Sequence, residues 1–277
     1  MADIFLNPGE SIPDTLITKF IDFGTHFVPA IAGGQEYFDQ VAAGLVPGEA
    51  SDDKFGHNPD IDSGTVEDVW DGGGIWAQPT VARIHNLAST DVNDTLLGTG
   101  ARQVTVFGLD GSYVLQSENV DLDGTSDAPT ANSYIMIYRL RVIAAGSGGA
   151  NAGTITATAV TDATVTAQIS VGKNQTLMTI FQVPAATTFL LYSYTGILLK
   201  EPASGAASFS LLIKPFGQVW QTRHMGAVRA DGSSYVPHNF HPPIAYPEKT
   251  LIKIGDVDVS ANNTAFFASF QYILKTT

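Results

Sequence analysis

The 277-residue chain has no cysteine. That excludes a disulfide framework, a thiolate zinc site, an Fe–S cluster and a cysteine nucleophile. Charge is scarce as well: Asp, Glu, Lys and Arg make up 15% of the residues. Basic residues are the scarcest part, 14 against 27 acids. No Lys/Arg cluster exists to neutralise phosphates, so nucleic acid is not an expected partner. An anionic membrane surface would repel the acidic N-terminal part. No apolar run reaches the roughly 18 residues that span a bilayer. The opening MADIFLNPGESIP has no basic n-region and no apolar h-region, so no secretory signal is expected.

What is present is apolar. Hydrophobic residues make up 44% of the chain, too many for a disordered polymer. A chain of this length buries about 70–75% of its unfolded surface, enough for a sizeable core. The formal net charge is −13, and it is unevenly spread. Residues 1–80 hold 14 acids against two lysines, Lys19 and Lys54. Either this acid keeps an abundant protein soluble, or the segment meets a basic surface on a partner.

Along the chain three textures follow one another. In Asp14–Phe27, Leu16, Ile17, Phe20, Ile21 and Phe23 are apolar; the stretch is a short amphipathic helix or an extended arm. Gly34–Leu45 is the better helix, with Tyr37, Phe38, Val41, Ala42 and Leu45 on one stripe. Residues 48–65, acidic and punctuated by Gly and Pro, read as a linker or a surface-hugging extended segment. From residue 66, runs rich in Val, Ile, Thr, Tyr and Phe alternate with Gly, Asn, Asp and Ser clusters, the pattern of many short strands. Asp110-Gly111 reads as a type I′ hairpin turn. Ala144–Gly153 reads as a flexible loop. The expected fold is all-β: an arm over residues 1–65 with a short helix, a β-sandwich over 66–163 and a jelly-roll-like domain over 164–277.

Chemical motifs are weak. GTGARQ at Gly98–Gln103 lacks the third glycine of a dinucleotide fingerprint and precedes a strand. SVGKN at Ser170–Asn174 lacks the remaining phosphate-loop residues, and no GxSxG or HExxH occurs. His224, His238 and His241, with Glu248 beyond, offer imidazoles for a divalent ion, but no HxH pair puts two on one strand face. Asp121 and Asp123 share a strand face about 6.6–6.8 Å apart, as turn residues, an ion site or a carboxylate pair. Asn93, Asn174 and Asn262 open N-x-Thr triplets, read as loop residues. Trp70, Trp76 and Trp220 either pack in a core or interface or stack on sugar rings. No catalytic residue, metal or cofactor is expected.

Longer blocks carry a resemblance. VEDVWDGGGIWAQPTVARIHNLASTDVND, GTGARQVTVFGLDGSY and GSGGANAGTITA are followed by SVGKNQTLMTIFQVPAATTFLLYSY, SFSLLIKPFGQVWQTRH and FHPPIAYPEKTLIKI. In these blocks, over roughly residues 56–277, the sequence resembles a family of virion structural proteins of tailed bacteriophages. The resemblance implies a non-enzymatic homo-oligomer, trimeric by preference, that decorates or cements a capsid. It implies the major capsid protein or another virion protein as partner, assembly in the host cytoplasm and residence in the virion. A tail or neck adaptor, a fibre component and a carbohydrate-binding receptor module stay open. The partner-binding residues expected are Phe20, Phe23, Tyr37, Phe38, Trp70 and Trp76.

Overall fold

The computed structural model describes residues 18–22, 27–31, 37–200, 205–230 and 234–277. The chain forms two compact units, Met1–Pro47 and Gly48–Thr277. In the first, β1 (Thr18–Asp22) pairs antiparallel with β2 (Phe27–Ile31). The stretch around Phe20 is therefore extended, not helical. Helix α1 (Tyr37–Ala42) is shorter than the apolar stripe suggests. It buries Val41 and leaves Tyr37 and Phe38 exposed, their rings in a T-shaped contact at 5.6 Å.

The second unit opens with β3 (Glu49–Ile61) and β4 (Val66–Glu67). Seven strands follow: β5 (His85–Ser89), β6 (Ala101–Leu109), β7 (Leu115–Asp121), β8 (Ala128–Pro129), β9 (Met136–Ala145), β10 (Ile155–Ala159) and β11 (Thr164–Ile169). The last seven are β12 (Ile180–Gln182), β13 (Thr187–Lys200), β14 (Ala206–Lys214), β15 (Gln221–Arg229), β16 (Tyr235–Tyr246), β17 (Leu251–Val259) and β18 (Thr264–Thr276).

Their pairing defines the architecture. One sheet runs β16-β13-β18-β3; the facing sheet runs β12-β17-β14-β15, with β4 added beside β17. Counting only β3 and β12–β18 as strands one to eight, the sheet orders are 1-8-3-6 and 2-7-4-5. That is a complete eight-stranded jelly roll. Its core is aromatic: Phe181, Phe189, Phe209, Phe266, Phe270 and Tyr272 are all buried. Phe189 and Tyr272 stack at 4.5 Å. On β18 the buried Phe266, Ala268, Phe270 and Tyr272 alternate with more exposed neighbours over much of the strand, so a period of two sets the inward face.

Two boundaries differ from the sequence reading. Residues 48–65 are not a linker: β3 pairs with β18 from Glu49↔Lys275 to Ile61↔Thr264 and is the jelly roll's first strand. Thr164–Val171 does not belong to the jelly roll either. β11 pairs with β10 in the preceding lobe. Strands β5–β11 thus form an insertion between the first and second jelly-roll strands, as two small sheets, β11-β10-β5-β8 and β7-β6-β9. The insertion has its own buried cluster, including Leu87, Val104, Leu109, Tyr134, Met136 and Ile155. The two cores meet at Tyr138, which packs on both and sets its ring edge-on to Phe181 at 5.3 Å.

Two local expectations change as well. The β6–β7 hairpin carries its positive φ at Tyr113 (φ 67), not at Gly111. Asp110 accepts the backbone N–H groups of Ser112 and Val114, and Tyr113 N–H bonds to Asp110 O, giving a three-residue loop in place of type I′. The Ala144–Gly153 segment is packed only at its end: Ser147, Gly148 and Gly149 are exposed, while Asn151 and Gly153 are buried. Asn151 is buried and exchanges backbone N–H to side-chain oxygen bonds with Asn174 at 3.0 and 3.1 Å.

The acidic segment divides too. Of the 14 acids in residues 1–80, six lie in Met1–Pro47 with one lysine, giving −5; the other eight lie in the jelly-roll unit. Three of these, Asp52, Asp53 and Asp60, are exposed on β3, the edge of its sheet. Charge there discourages pairing with a foreign strand.

Candidate functional site

A cavity of about 420 Å³ opens where the insertion meets the jelly roll. Its walls are residues 76–80, Tyr113, Ile135, Lys214, Trp220 and Leu251. Each wall is placed by an element. Tyr113 tops the β6–β7 hairpin, Lys214 ends β14, Trp220 precedes β15 and Leu251 opens β17.

Behind the wall lies a buried ion pair. Lys253 on β17 is buried and bonds both carboxylate oxygens of buried Asp68, at 2.6 and 2.8 Å. Asp68 also accepts the Trp76 backbone N–H at 2.9 Å. Burial pushes the Asp68 carboxyl up, and the Lys253 ammonium opposes that push. The same ammonium lies 4.6 Å from the Trp220 ring centroid. One buried ion pair therefore anchors both tryptophans on the cavity wall. Across the opening, Tyr113 meets Phe216 edge-on at 5.6 Å, and the Lys249 ammonium lies over both rings at 5.5 and 5.3 Å. Gln78 is held by its amide N–H bonds to Ile135 O and Gln182 Oε1.

The sequence-derived candidates scatter. Phe20 lies on β1; Phe23 lies outside the described residues. Tyr37 and Phe38 sit exposed on α1. Trp70 and Trp76 are each 5% exposed and belong to the core, so they are not a ready docking surface. Their indole N–H groups bond to Gly74 O and Thr166 O. This corrects the expectation that they meet a partner: the Gly-rich turn folds the first ring inward. Trp220 is the tryptophan with an open side, 36% exposed.

His224 and His238 do come together, ring centroids 4.6 Å apart, packed against Tyr194 and Phe240. Burial, then His238 and Arg223, lower the His224 pKa. His241 is not part of that cluster. Among the described residues no group of three or more His, Cys, Asp or Glu is placed to hold a metal. Asp121 accepts from Gln103, and Asp123 closes a turn with Ser126, so the two act as strand-end residues. The GTGARQ glycines serve packing. Asp94 is buried beside them, accepting from Ala101 N–H and Ala152 N–H on Oδ1, and from Gly153 N–H and the Ser89 hydroxyl on Oδ2. Sequence reasoning missed Tyr113, Gln78, Thr80, Lys214 and the Lys253–Asp68 pair. Only the hairpin turn signal near Tyr113 marked any of them.

Comparison with protein-family models finds no match, and comparison with curated proteins finds none either. No helix among the described residues is long and apolar enough to cross a membrane.

Proposed function

We propose that the chain is a non-enzymatic structural protein of a tailed-phage virion that decorates or cements the capsid shell as a homo-oligomer, a trimer by preference. The observation that carries this reading is the division of labour in the chain. A rigid jelly roll with an inserted sandwich is preceded by a separate compact unit bearing the exposed aromatics Tyr37 and Phe38. Jelly rolls recur as capsid building blocks, and a separate small unit with exposed aromatics is suited to docking on a neighbouring protein. The resemblance over residues 56–277 points the same way. The partner is the major capsid protein or another virion protein, through Met1–Pro47.

The test is a binding comparison on isolated capsid shells. The full chain should saturate the shells, and residues 48–277 alone should stay in the supernatant. Equal occupancy by both would contradict the reading. Binding of the full chain to tail or neck assemblies and not to shells would move it to an adaptor or fibre.

A further inference from the structure

We infer that the cavity between the insertion and the jelly roll binds a saccharide carrying a carboxylate. The inference does not rest on shell attachment.

The volume of about 420 Å³ falls within the roughly 300–1,000 Å³ typical of small-ligand sites. Its lining has three kinds of group. The first is a fixed aromatic platform. Trp220 is 36% exposed, and its ring is held from below by an ammonium itself locked in a buried ion pair. An indole pinned in this way loses little freedom when a ring stacks on it. The apolar C–H face of a pyranose fits such a platform. The second is a set of neutral polar groups. The Gln78 amide is oriented by two bonds through its nitrogen, leaving its oxygen as acceptor. Thr80 is exposed with a hydroxyl that makes no bond among the described residues. Sugar hydroxyls pair with such groups.

The third is a single cation. Lys214 is half-buried on the wall, and no carboxylate pairs with it among the described residues. It is the one cation among the lining residues, and an ammonium without a carboxylate partner favours an anion; Lys249 at the opening is already engaged by Tyr113, Phe216 and Glu248. Tyr113 closes the wall from the tip of the β6–β7 hairpin, its ring edge-on to Phe216. Aromatic face, amide, hydroxyl and one ammonium together match a uronate or neuraminate ring. A duplex or single-stranded nucleic acid would need more cations than this wall supplies.

The full chain should be probed on uronate- and neuraminate-bearing oligosaccharides and on the same oligosaccharides after carboxyl reduction. The expected result is binding to one or more acidic forms, weakened about tenfold or more by carboxyl reduction. Lys214→Met should reproduce that loss without altering the residual affinity for the reduced form. Trp220→Ala should weaken both forms. Trp220→Phe, which keeps a stacking face, should recover part of the affinity and shows that the effect is not misfolding. Binding to no acidic oligosaccharide, equal binding to reduced forms, or affinity unchanged in both Lys214→Met and Trp220→Ala would overturn the inference. Equal binding of DNA would overturn it too.

Discussion

Asp71 and His85 are buried in the jelly-roll unit, each with one polar atom that has no partner among the described residues: Asp71 Oδ1 and His85 Nε2. Burial raises the Asp71 carboxyl to about 7 and lowers the His85 imidazole to about 4. Their effects on stability oppose one another. From about pH 4 to 7 the folded chain holds a proton on Asp71 that the unfolded chain releases, so stability falls as pH rises. From about pH 4 to 6.5 the unfolded chain protonates His85 while the folded chain does not, so stability rises with pH. Each slope is at most about 1.4 kcal/mol per pH unit. Relative to the unsubstituted chain, Asp71→Asn should therefore melt progressively lower as pH drops from about 7 to about 4. His85→Gln should melt progressively higher relative to it over the fall from about 6.5 to about 4. Melting curves at several pH values check both; variants that run parallel to the parent would contradict the assignment. Asp94 belongs to the same scale. Its carboxylate gathers three backbone donors and a hydroxyl in the core of the insertion. Asp94→Ala leaves those donors buried and should cost about 3–5 kcal/mol in denaturant unfolding, an unchanged midpoint being the adverse result. Gly100→Ala should act through the same group, because a Cβ there would lie 2.2 Å from Asp94 Oδ1.

Strand β3 decides how the chain is divided. Removing residues 1–47 should leave the melting midpoint near that of the full chain. Removing residues 1–61 strips β18 of one of its two neighbouring strands along most of its length, beside the core residues Phe266 and Phe270. That product should lose cooperative unfolding or precipitate. Two truncations with the same midpoint would mean β3 is dispensable. The contrast also shows why strands were unequally legible. In β18 the alternation is apolar, and the sequence displays it. In β3 the inward positions are Lys54, Gly56 and Asn58. They are buried for reasons a hydrophobic pattern does not register. Lys54 donates to Tyr138 O and lies over that ring, its pKa pushed well down by burial. Gly56 makes room for the Val69 and Thr179 backbones. Asn58 bonds Glu67 and Asp68. A strand whose buried positions are polar and whose exposed positions include Asp52, Asp53 and Asp60 reads as a linker. The β10–β11 hairpin was legible as two strands. Its membership in the insertion depends on pairing with β5, a contact of distant segments that no local pattern encodes.

At the scale of the whole molecule, the all-β class and most strands of the second unit were present in the sequence as period-two runs between turn residues. The jelly-roll connectivity was not, because its first and last strands are neighbours in space and lie at opposite ends of the unit. The cavity was equally hidden. Tyr113 is far along the chain from Lys214 and Trp220 and meets them only when the insertion folds back on the jelly roll. The tryptophans nearest each other in sequence, Trp70 and Trp76, turned out to be core. What the fold offers is a rigid scaffold and a small separate N-terminal unit. The account built on it is a capsid-decorating protein, held to the shell through that unit. An image reconstruction of tailed-phage particles assembled with this chain present tests that proposal most directly. It should show the jelly roll and its insertion repeated symmetrically over the capsid surface, in clusters of identical copies, with Met1–Pro47 against the major capsid protein. Density confined to the tail or neck, or a particle without the chain, would contradict it.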